Sequence, residues 1–594
     1  MCGIIGVIGK INGKSKIIAK CMLKSIKHRG PDDHGLVIKK DIILGNNRLS
    51  IRDLSKKGHQ PMFNEDKSII ITFNGEIYNS DELKKKLKEK HKFISKTDTE
   101  VLVHLYEEKG ISFINDLNGM FAFCLYDLKK QETFLVRDRI GEKSIYYYID
   151  SNNDFYFSSE MKSFLDNKHY FEKFSINKEA LFFYFGFPYI PLNNKTLINE
   201  INKLEAGTYM HIKEKKITKV KYWDLKFNQR INKLTYNEAK TELYQLLDDA
   251  VRIRLISDVP LGIMLSGGID SSLISAFMKK YLVKVKSYTA SFQHENDESN
   301  YAKIVAEYLD LEHTKIDIKN RDIINNLENF IDLYDDLTTT DGGMITTYLL
   351  SKKMKDNSIK VVLSGEGSDE VFGGYARFGL SKRPFNILPL IFKANLYYYL
   401  IFRQIRKINF KYGYYIYTIL KSFKEKDTFR KLSKFEITYA LPNHYNLKID
   451  KGTMKASVEA RLPYLDYRLV EFVYSLPLNY KIKGIFYNFF STNEKRILRD
   501  IAIMHLPSSI YKRKKRGLML PIFGVMNSDK LKVRKYILEK NIISKNIFNK
   551  EVLESLFKKN IFGLFDESKG YLLWNLLLLE VWANKYFSEG IEIK

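Results

Sequence analysis

Up to about residue 204 the hydrophobic positions come in short β-rich runs, at 68–73, 121–127, 133–137 and 144–149, and two stretches with helical patterning lie among them, at 80–90 and 99–109. That mixture predicts a layered α/β unit. Residues 205–224, with Gly207 and the basic run Lys213-Glu214-Lys215-Lys216, read as a connecting stretch. From about residue 234 the pattern changes: a long amphipathic helix runs to 253, a strand, loop and helix fill 259–280, and strands fall near 285–292 and 361–363. Strands alternating with helices in this way predict a doubly wound parallel sheet. The expected division is therefore a first domain over 1–210, a connecting region over 211–234 and a second domain over 235–594.

Length and composition agree with a globular chain of two or three domains: 594 residues, 45% hydrophobic and 14% aromatic. No uninterrupted apolar stretch is long enough to span a bilayer, and Lys10, Lys14 and Lys16 break up the first twenty residues, so a cytoplasmic location is expected. Cys2, Cys21 and Cys124 form no close pair and no metal-ligand spacing. The net charge of +27 opens three readings, namely nucleic acid, an anionic membrane surface or anionic substrates, beside the plain one of a Lys-rich, Ile-rich, Asn-rich composition. The excess is concentrated between Arg377 and Lys431, where aromatics such as Phe385, Phe392, Tyr397, Tyr412 and Tyr417 interleave with Arg403, Arg406, Lys407 and Lys411. Aromatics beside cations suit a lipid interface or a sugar-bearing ligand; apolar residues at helical spacing suit a packed helical hairpin.

The chemistry is concentrated in Ser266-Gly267-Gly268-Ile269-Asp270-Ser271-Ser272. An apolar run from 259 to 265 precedes this small-residue turn and a helical stretch follows, so backbone N–H groups and a helix N-terminus converge on one anion. Ser266, Ser271 and Ser272 can donate to phosphate oxygens, and Asp270 can meet phosphate through Mg²⁺. The alternative is an ordinary Gly-rich strand-to-helix turn. The chain has no G-x-x-x-x-G-K-[ST], which favours release of AMP and pyrophosphate over γ-phosphate transfer.

A second reactive group is expected at the other end. Cys2 follows the initiator Met, and removal of that Met would give it a free α-amine with a reference pKa of about 7.7–8.0, able to accept the thiol proton. Nucleophile and base would then be one residue. Gly3 and Gly6 flank a strand-like run that lets backbone approach closely.

Cys2-Gly3-Ile4, His28-Arg29-Gly30-Pro31-Asp32, Arg48-Leu49-Ser50-Ile51, Asn74-Gly75-Glu76-Ile77-Tyr78-Asn79 and Asp98 resemble the class II glutamine amidotransferase pattern. Joined to the 266–272 loop and Ser364-Gly365-Glu366-Gly367-Ser368-Asp369-Glu370, the chain resembles the glutamine-hydrolysing asparagine synthetase family over nearly its full length. The resemblance implies an N-terminal-nucleophile αββα sandwich followed by an α/β ATP pyrophosphatase-type domain with a helical C-terminal part. It implies a glutaminase site in which Cys2 is the nucleophile, Asn74 and Gly75 form the oxyanion hole, Arg48 forks the glutamine carboxylate, and Glu76 with Asp98 binds its ammonium. Read alone, Asn74-Gly75 is also a hairpin-turn signal, and Asp98 a helix N-cap.

In the second domain the resemblance implies nucleotide contacts from Leu265, Ser266, Gly267, Gly268, Asp270, Ser271, Ser272, Ala290, Ser364 and Gly365, and Mg²⁺ at Asp270 and Asp369. It implies acyl-adenylate formation at Glu366 and phosphate stabilisation by Lys495 and Arg499, for which a plain surface helix is the alternative. Arg461 falls in a family signature and is expected to be structural. The substrates implied are glutamine, ATP and a carboxylate, joined by ammonia that travels an interior passage; nucleic acid is not expected, and peripheral membrane or polysaccharide contact and a homodimer stay open. Two stretches depart from the pattern. Thr338-Thr339-Thr340 is followed by Asp341 where the family has an Arg associated with aspartate, and Lys515-Arg516-Gly517-Leu518 replaces a Phe-Ser-Asp-Gly type stretch. Aspartate is the default acceptor, and a uronic acid of a surface polysaccharide is the alternative. A basic nucleic-acid or membrane binding protein with vestigial enzyme motifs is the reading from another class.

Overall fold

Strands of period-two alternation dominate the first two hundred residues because each buries one face against a second sheet and the other against helices. The computed structural model describes residues 2–292, 297–337, 342–401, 410–484, 494–513, 520–557 and 567–594. Its first unit contains β1 (Cys2–Ile8), β2 (Asp33–Ile38), β3 (Ile42–Arg48), β4 (Met62–Phe63), β5 (Ile69–Ile77), β6 (Gly119–Asp127), β7 (Glu132–Arg137), β8 (Tyr146–Ile149), β9 (Phe155–Ser158), β10 (Ser175–Ile176), β11 (Asn202–Lys203), β12 (Thr208–Lys213) and β13 (Lys216–Lys221). Two six-stranded antiparallel sheets result, ordered β11-β8-β9-β1-β3-β2 and β13-β12-β7-β6-β5-β4.

The inner faces meet in a core that includes Ile4, Leu44, Ile70, Cys124, Leu135, Phe157 and Met210. Helix Gly13–Ser25 covers β1 and β3 on one outside, and helices Ser80–Leu87 and Asp98–Lys109 cover the other sheet through Phe73, Val101, Leu102, Leu105, Phe121 and Phe123. The arrangement is the αββα sandwich. β13 pairs along its whole length with β12 and so closes the second sheet, which means that the stretch expected to connect two domains from 211 is still sheet as far as Lys221.

The second unit opens on helix Tyr236–Ile253, started by a reciprocal capping box between Thr235 and Glu238. Its strands are β14 (Leu261–Met264), β15 (Lys286–Ser291), β16 (Glu312–Asp317), β17 (Val361–Leu363) and β18 (Glu459–Arg461), all parallel, in the order β16-β15-β14-β17-β18. The chain winds outward from β14 in one direction and then returns to add β17 on its other side. The crevice at the carboxyl ends of β14 and β17 is therefore the topological switch point, the place where open α/β sheets bind ligands. The 266–272 and 364–370 segments emerge there. β19 (Glu592–Ile593) returns to pair in parallel with β10 of the first unit.

The basic aromatic segment folds as a helical pair, Leu390–Ile401 and Phe410–Ser422, whose Tyr397, Tyr398, Tyr412 and Ile416 are buried against Phe183, Phe187, Phe429 and Phe435. Phe402, Arg403, Arg406 and Lys407 lie outside the described residues, as do Thr338 to Asp341 and Lys515 to Leu518. Among the described residues no helix is long and apolar enough to cross a membrane.

Candidate active site

β1 runs antiparallel to β3, and that register sets Cys2 opposite Arg48. β5 lies in the facing sheet and brings Asn74, Gly75 and Glu76 to the same end. A small cavity of about 30 Å³ is lined by Cys2, Arg48, Gly75, Glu76 and Asp98. Asn74 completes the group: its Oδ1 accepts from the Cys2 backbone N at 3.0 Å, while its Nδ2 is buried and has no hydrogen-bond partner. A buried amide donor without a partner costs about 1–3 kcal/mol, so a group that stays unsatisfied here implies an acceptor supplied from elsewhere. Burial pushes the Cys2 thiol up, and the Leu49 N–H is among the groups that favour the thiolate.

Asn74-Gly75 does not form the turn that this dipeptide signals. Both residues sit inside β5, paired with Ala122 and Phe121 of β6. Glycine is required at 75 for a reason of packing, because a Cβ there would stand 2.1 Å from the Met120 carbonyl oxygen. The Arg48 guanidinium donates to the carbonyls of Ser55 at 3.2 Å, Arg52 at 3.0 Å and Asp53 at 2.6 Å, which fixes its position on the cavity wall. Thr97, not Asp98, stands at the N-cap position, and Asp98 Oδ2 accepts from the Ile77 N–H at 2.8 Å.

Two buried carboxylates close together disfavour each other's charge and hold their protons to higher pH. Burial, and after it the charge of Asp98, raise Glu76 to about 8, and Asp98 is likewise raised by burial. Their cations are Arg52, which no motif announced, and Arg461, which was expected to be structural. Arg52 reaches Glu76 at 3.3 Å and Asp81 at 2.8 Å. Arg461, fully buried on β18 of the second unit, reaches Glu76 at 3.2 Å and Glu459 at 2.7 Å, and its remaining donors meet the carbonyls of Arg254 and Ile256. Burial pushes Glu459 up, but positive charges, Arg461 among them, outweigh it and hold it at about 2.

The second site lies in the switch-point crevice, a cavity of about 350 Å³ lined among others by Leu265, Ser266, Asp270, Ser271, Ala290, Ser364, Gly365, Glu366 and Asp369. Gly267 has φ +70°, and a Cβ there would stand 2.4 Å from the Ala302 backbone nitrogen, so glycine is needed on both counts. Gly268 is the N-cap of helix Ile269–Tyr281 and its N–H donates to Ser266 Oγ at 3.3 Å. The hydroxyls of Ser266 and Ser271 bond each other at 3.0 Å, whereas Ser272 donates to the Gly268 carbonyl at 2.7 Å and is fully buried. Ser272 thus steadies the turn rather than facing the cavity. At Gly365 a Cβ would approach the Ser271 nitrogen to 2.8 Å, so the two loops are in contact.

Lys495 Nζ stands between Asp270 and Asp369, at 2.7 Å from each, with Ser368 Oγ at 3.2 Å. Two carboxylates that converge on one cation make an all-oxygen donor pair of the kind Mg²⁺ takes. Arg499 donates to the carbonyls of Glu494, Tyr511 and Arg513, and with Lys495, Ser266 and Arg513 it lines an adjoining pocket of about 50 Å³. Glu366 pairs with Lys448 at 2.7 Å, and Lys448, Tyr375 and His444 complete the large cavity's far wall. Sequence reasoning passed over Lys448, Arg513 and Arg52, because isolated cations in a Lys-rich chain carry no signal of their own.

Residues 242–584 match the family model described as asparagine synthase, and residues 1–223 match the one described as a glutamine amidotransferase domain. The chain belongs to the asparagine synthase family. Three relatives illustrate the extent of the similarity. Asparagine synthetase B [glutamine-hydrolyzing] of Escherichia coli is 31% identical over 87% of this chain and 81% of its own length. Asparagine synthetase [glutamine-hydrolyzing] 1 of Bacillus subtilis is 29% identical over 98% and 96%, and that of Lotus japonicus 31% over 81% and 71%. Within the asparagine synthase family, then, both units of this chain have counterparts in order. An apolar cluster joins them: Leu49, Ile51, Tyr78 and Met120 from the first unit pack with Ile253, Val361 and Met454 from the second.

Proposed function

We propose that the chain is a glutamine-hydrolysing asparagine synthetase: it releases ammonia from glutamine at Cys2 and uses it to amidate aspartate that ATP has activated. The observation that carries the first half is Asn74, whose one side-chain atom holds the Cys2 nitrogen while the other, buried and unsatisfied, points to an oxyanion that only a substrate brings. The Cys2 sulfur attacks the side-chain carbonyl carbon of glutamine, and its proton passes to the α-amine freed by loss of Met1. Asn74 Nδ2 and the Gly75 N–H donate to the oxygen as it becomes anionic. The amine returns the proton to the leaving nitrogen, ammonia departs, and water hydrolyses the thioester to glutamate. Arg48 receives the substrate carboxylate, and Glu76 with Asp98 receives its ammonium.

In the crevice, the nucleotide sits against Leu265, Ala290 and the Ser364-Gly365 backbone, with its phosphates at the 266–271 turn. Asp270 and Asp369 would hold Mg²⁺, which neutralises charge on the departing pyrophosphate. Lys495 and Arg499, which line the adjoining pocket, would stabilise charge on the phosphates. The aspartate side-chain carboxylate attacks the α-phosphorus, pyrophosphate leaves, and ammonia then displaces AMP from the acyl carbon. The apolar contact that joins the two units around Met120 and Val361 would shield ammonia from bulk water on its way.

The test is product analysis with glutamine, ATP and either aspartate or a uronic acid. Asparagine, glutamate, AMP and pyrophosphate in equal amounts are expected from aspartate. Glutamate and pyrophosphate without asparagine would overturn the choice of acceptor.

A further inference from the structure

Away from both sites, the outer edge of the first unit gathers two imidazoles and two carboxylates from three separate segments. Glu65 comes from the turn between β4 and β5, His91 from the loop after helix Ser80–Leu87, and His104 with Glu107 from one face of helix Asp98–Lys109, three residues apart. One ligand atom from each of the four lies within 4.8 Å of all the others. His91 Nδ1 stands 3.7 Å from Glu65 and 3.5 Å from Glu107; His104 Nδ1 stands 3.3 Å from Glu65 and 2.9 Å from Glu107. Bonds of about 2.0–2.1 Å to a tetrahedral Zn²⁺ require ligand atoms about 3.4 Å apart; these four gaps are near that value, while the spread of the whole group, within 4.8 Å, has to contract on binding.

The surroundings prepare the ligands as well. His91 Nε2 lies 3.2 Å from Glu108 Oε1, and that contact holds the ring proton on Nε2 and leaves the Nδ1 lone pair facing the cluster. A carboxylate behind a histidine in this way orients metal ligands and makes them more basic. Glu107 Oε1 accepts from Asn64 Nδ2 at 2.8 Å, and Glu65 Oε1 from the Lys92 N–H at 3.2 Å, so each carboxylate is anchored by a neutral donor. The His104 side chain is only 2% exposed. Its Nδ1 lies 2.9 Å from Glu107 Oε2 and its Nε2 has no hydrogen-bond partner, so a metal at Nδ1 takes the place of the proton shared with Glu107. Glu65, at 42% exposure, leaves an approach from solvent.

We propose that Glu65, His91, His104 and Glu107 form a binding site for one divalent transition metal, Zn²⁺ in preference to Mg²⁺ or Ca²⁺. Two neutral imidazoles and two carboxylates suit a borderline ion and exactly cancel its charge, whereas the hard ions favour all-oxygen sets. The metal ties the helix that begins at Asp98 to the β4–β5 turn and to the 91 loop. It is a clamp on the element that carries one wall of the glutaminase cavity.

The test uses the full chain, stripped of metal with a chelator and titrated with Zn²⁺ and, separately, Co²⁺. One equivalent of Zn²⁺ is expected, with a rise in melting temperature, and the bound Co²⁺ should show intense four-coordinate visible bands without a thiolate charge-transfer band. His91→Gln should abolish that equivalent, and Glu108→Gln, which keeps all four ligands, should weaken it about 10–100-fold. The variants His91→Gln and Glu108→Gln change partly exposed side chains, so folding, checked by circular dichroism, is expected to persist. Binding that His91→Gln leaves unchanged, a thiolate signature from Cys2 or Cys21, or no equivalent at all would each overturn the proposal.

Discussion

Asn74→Ala probes the site where an unsatisfied group is most visible. In the resting protein Nδ2 is buried without an acceptor, so the variant loses no ground-state bond from that atom. The donor acts only once the glutamine carbonyl becomes tetrahedral, which is the condition for an interaction to lower the barrier rather than tighten binding. Losing one such donor costs about 2.7–4 kcal/mol, a fall of about 10²–10³ in kcat for glutamine hydrolysis. The substitution also removes the 3.0 Å bond from Cys2 N to Oδ1, a net contribution of about 0.5–1.5 kcal/mol to holding the nucleophile. Folding stability should change little, since the lost bond is offset by removal of a buried unpaired donor. The assay is glutamate release at saturating glutamine, with asparagine formation from added ammonia as the internal control. A large drop in kcat at nearly constant KM, with the ammonia reaction intact, is expected. Retention of kcat to within about threefold, less than 1 kcal/mol, would refute the reasoning.

Cys2→Ala should abolish synthesis from glutamine and leave synthesis from ammonia, whereas Asp270→Ala should stop both; the two nitrogen sources, assayed in parallel for each variant, check this. Arg461→Met leaves Glu76 and Glu459 buried without their shared cation and should destabilise the protein by about 3–5 kcal/mol, measured by urea unfolding. Glu76 gives a pH prediction. Its folded pKa of about 8 lies above the ordinary carboxylate value, so the folded state holds its proton longer than the unfolded chain does. Its contribution to stability is fully present at acid pH and is lost as pH rises toward and through 8. The melting temperature of the wild type relative to Glu76→Gln should therefore decline between pH 5 and 8, and a flat difference would contradict the assigned burial.

Local chemistry was legible where the backbone itself makes the site. The 266–272 turn could be read because strand, glycines and helix start are contiguous, and the parallel sheet because its strands alternate with helices. Asn74-Gly75 was readable as a motif but ambiguous as structure: the dipeptide favours a turn in isolation, and only the Met120 carbonyl across the sheet shows why glycine belongs in a strand. β13 was hidden because a solvent-facing edge strand rich in lysine looks like a linker, and its pairing to β12 is a tertiary fact. Lys448 escaped for a related reason, and Arg461 was legible as a structural residue of a motif but not as a partner of Glu76. Arg461 lies 385 positions from Glu76, and nothing within a local window indicates that the two meet. The His91 and His104 cluster likewise exists only once a turn, a loop and a helix are folded together.

Arg461 is also bound through its main chain: its carbonyl oxygen accepts the Ser364 N–H at 3.1 Å, at the mouth of the nucleotide crevice, while its side chain grips Glu76 on the glutamine side. A single residue is thus a rivet common to two chambers. Thermodynamic reciprocity makes any traffic between them two-way, since a nucleotide that sharpened the grip on glutamine would be gripped harder by the same factor in return.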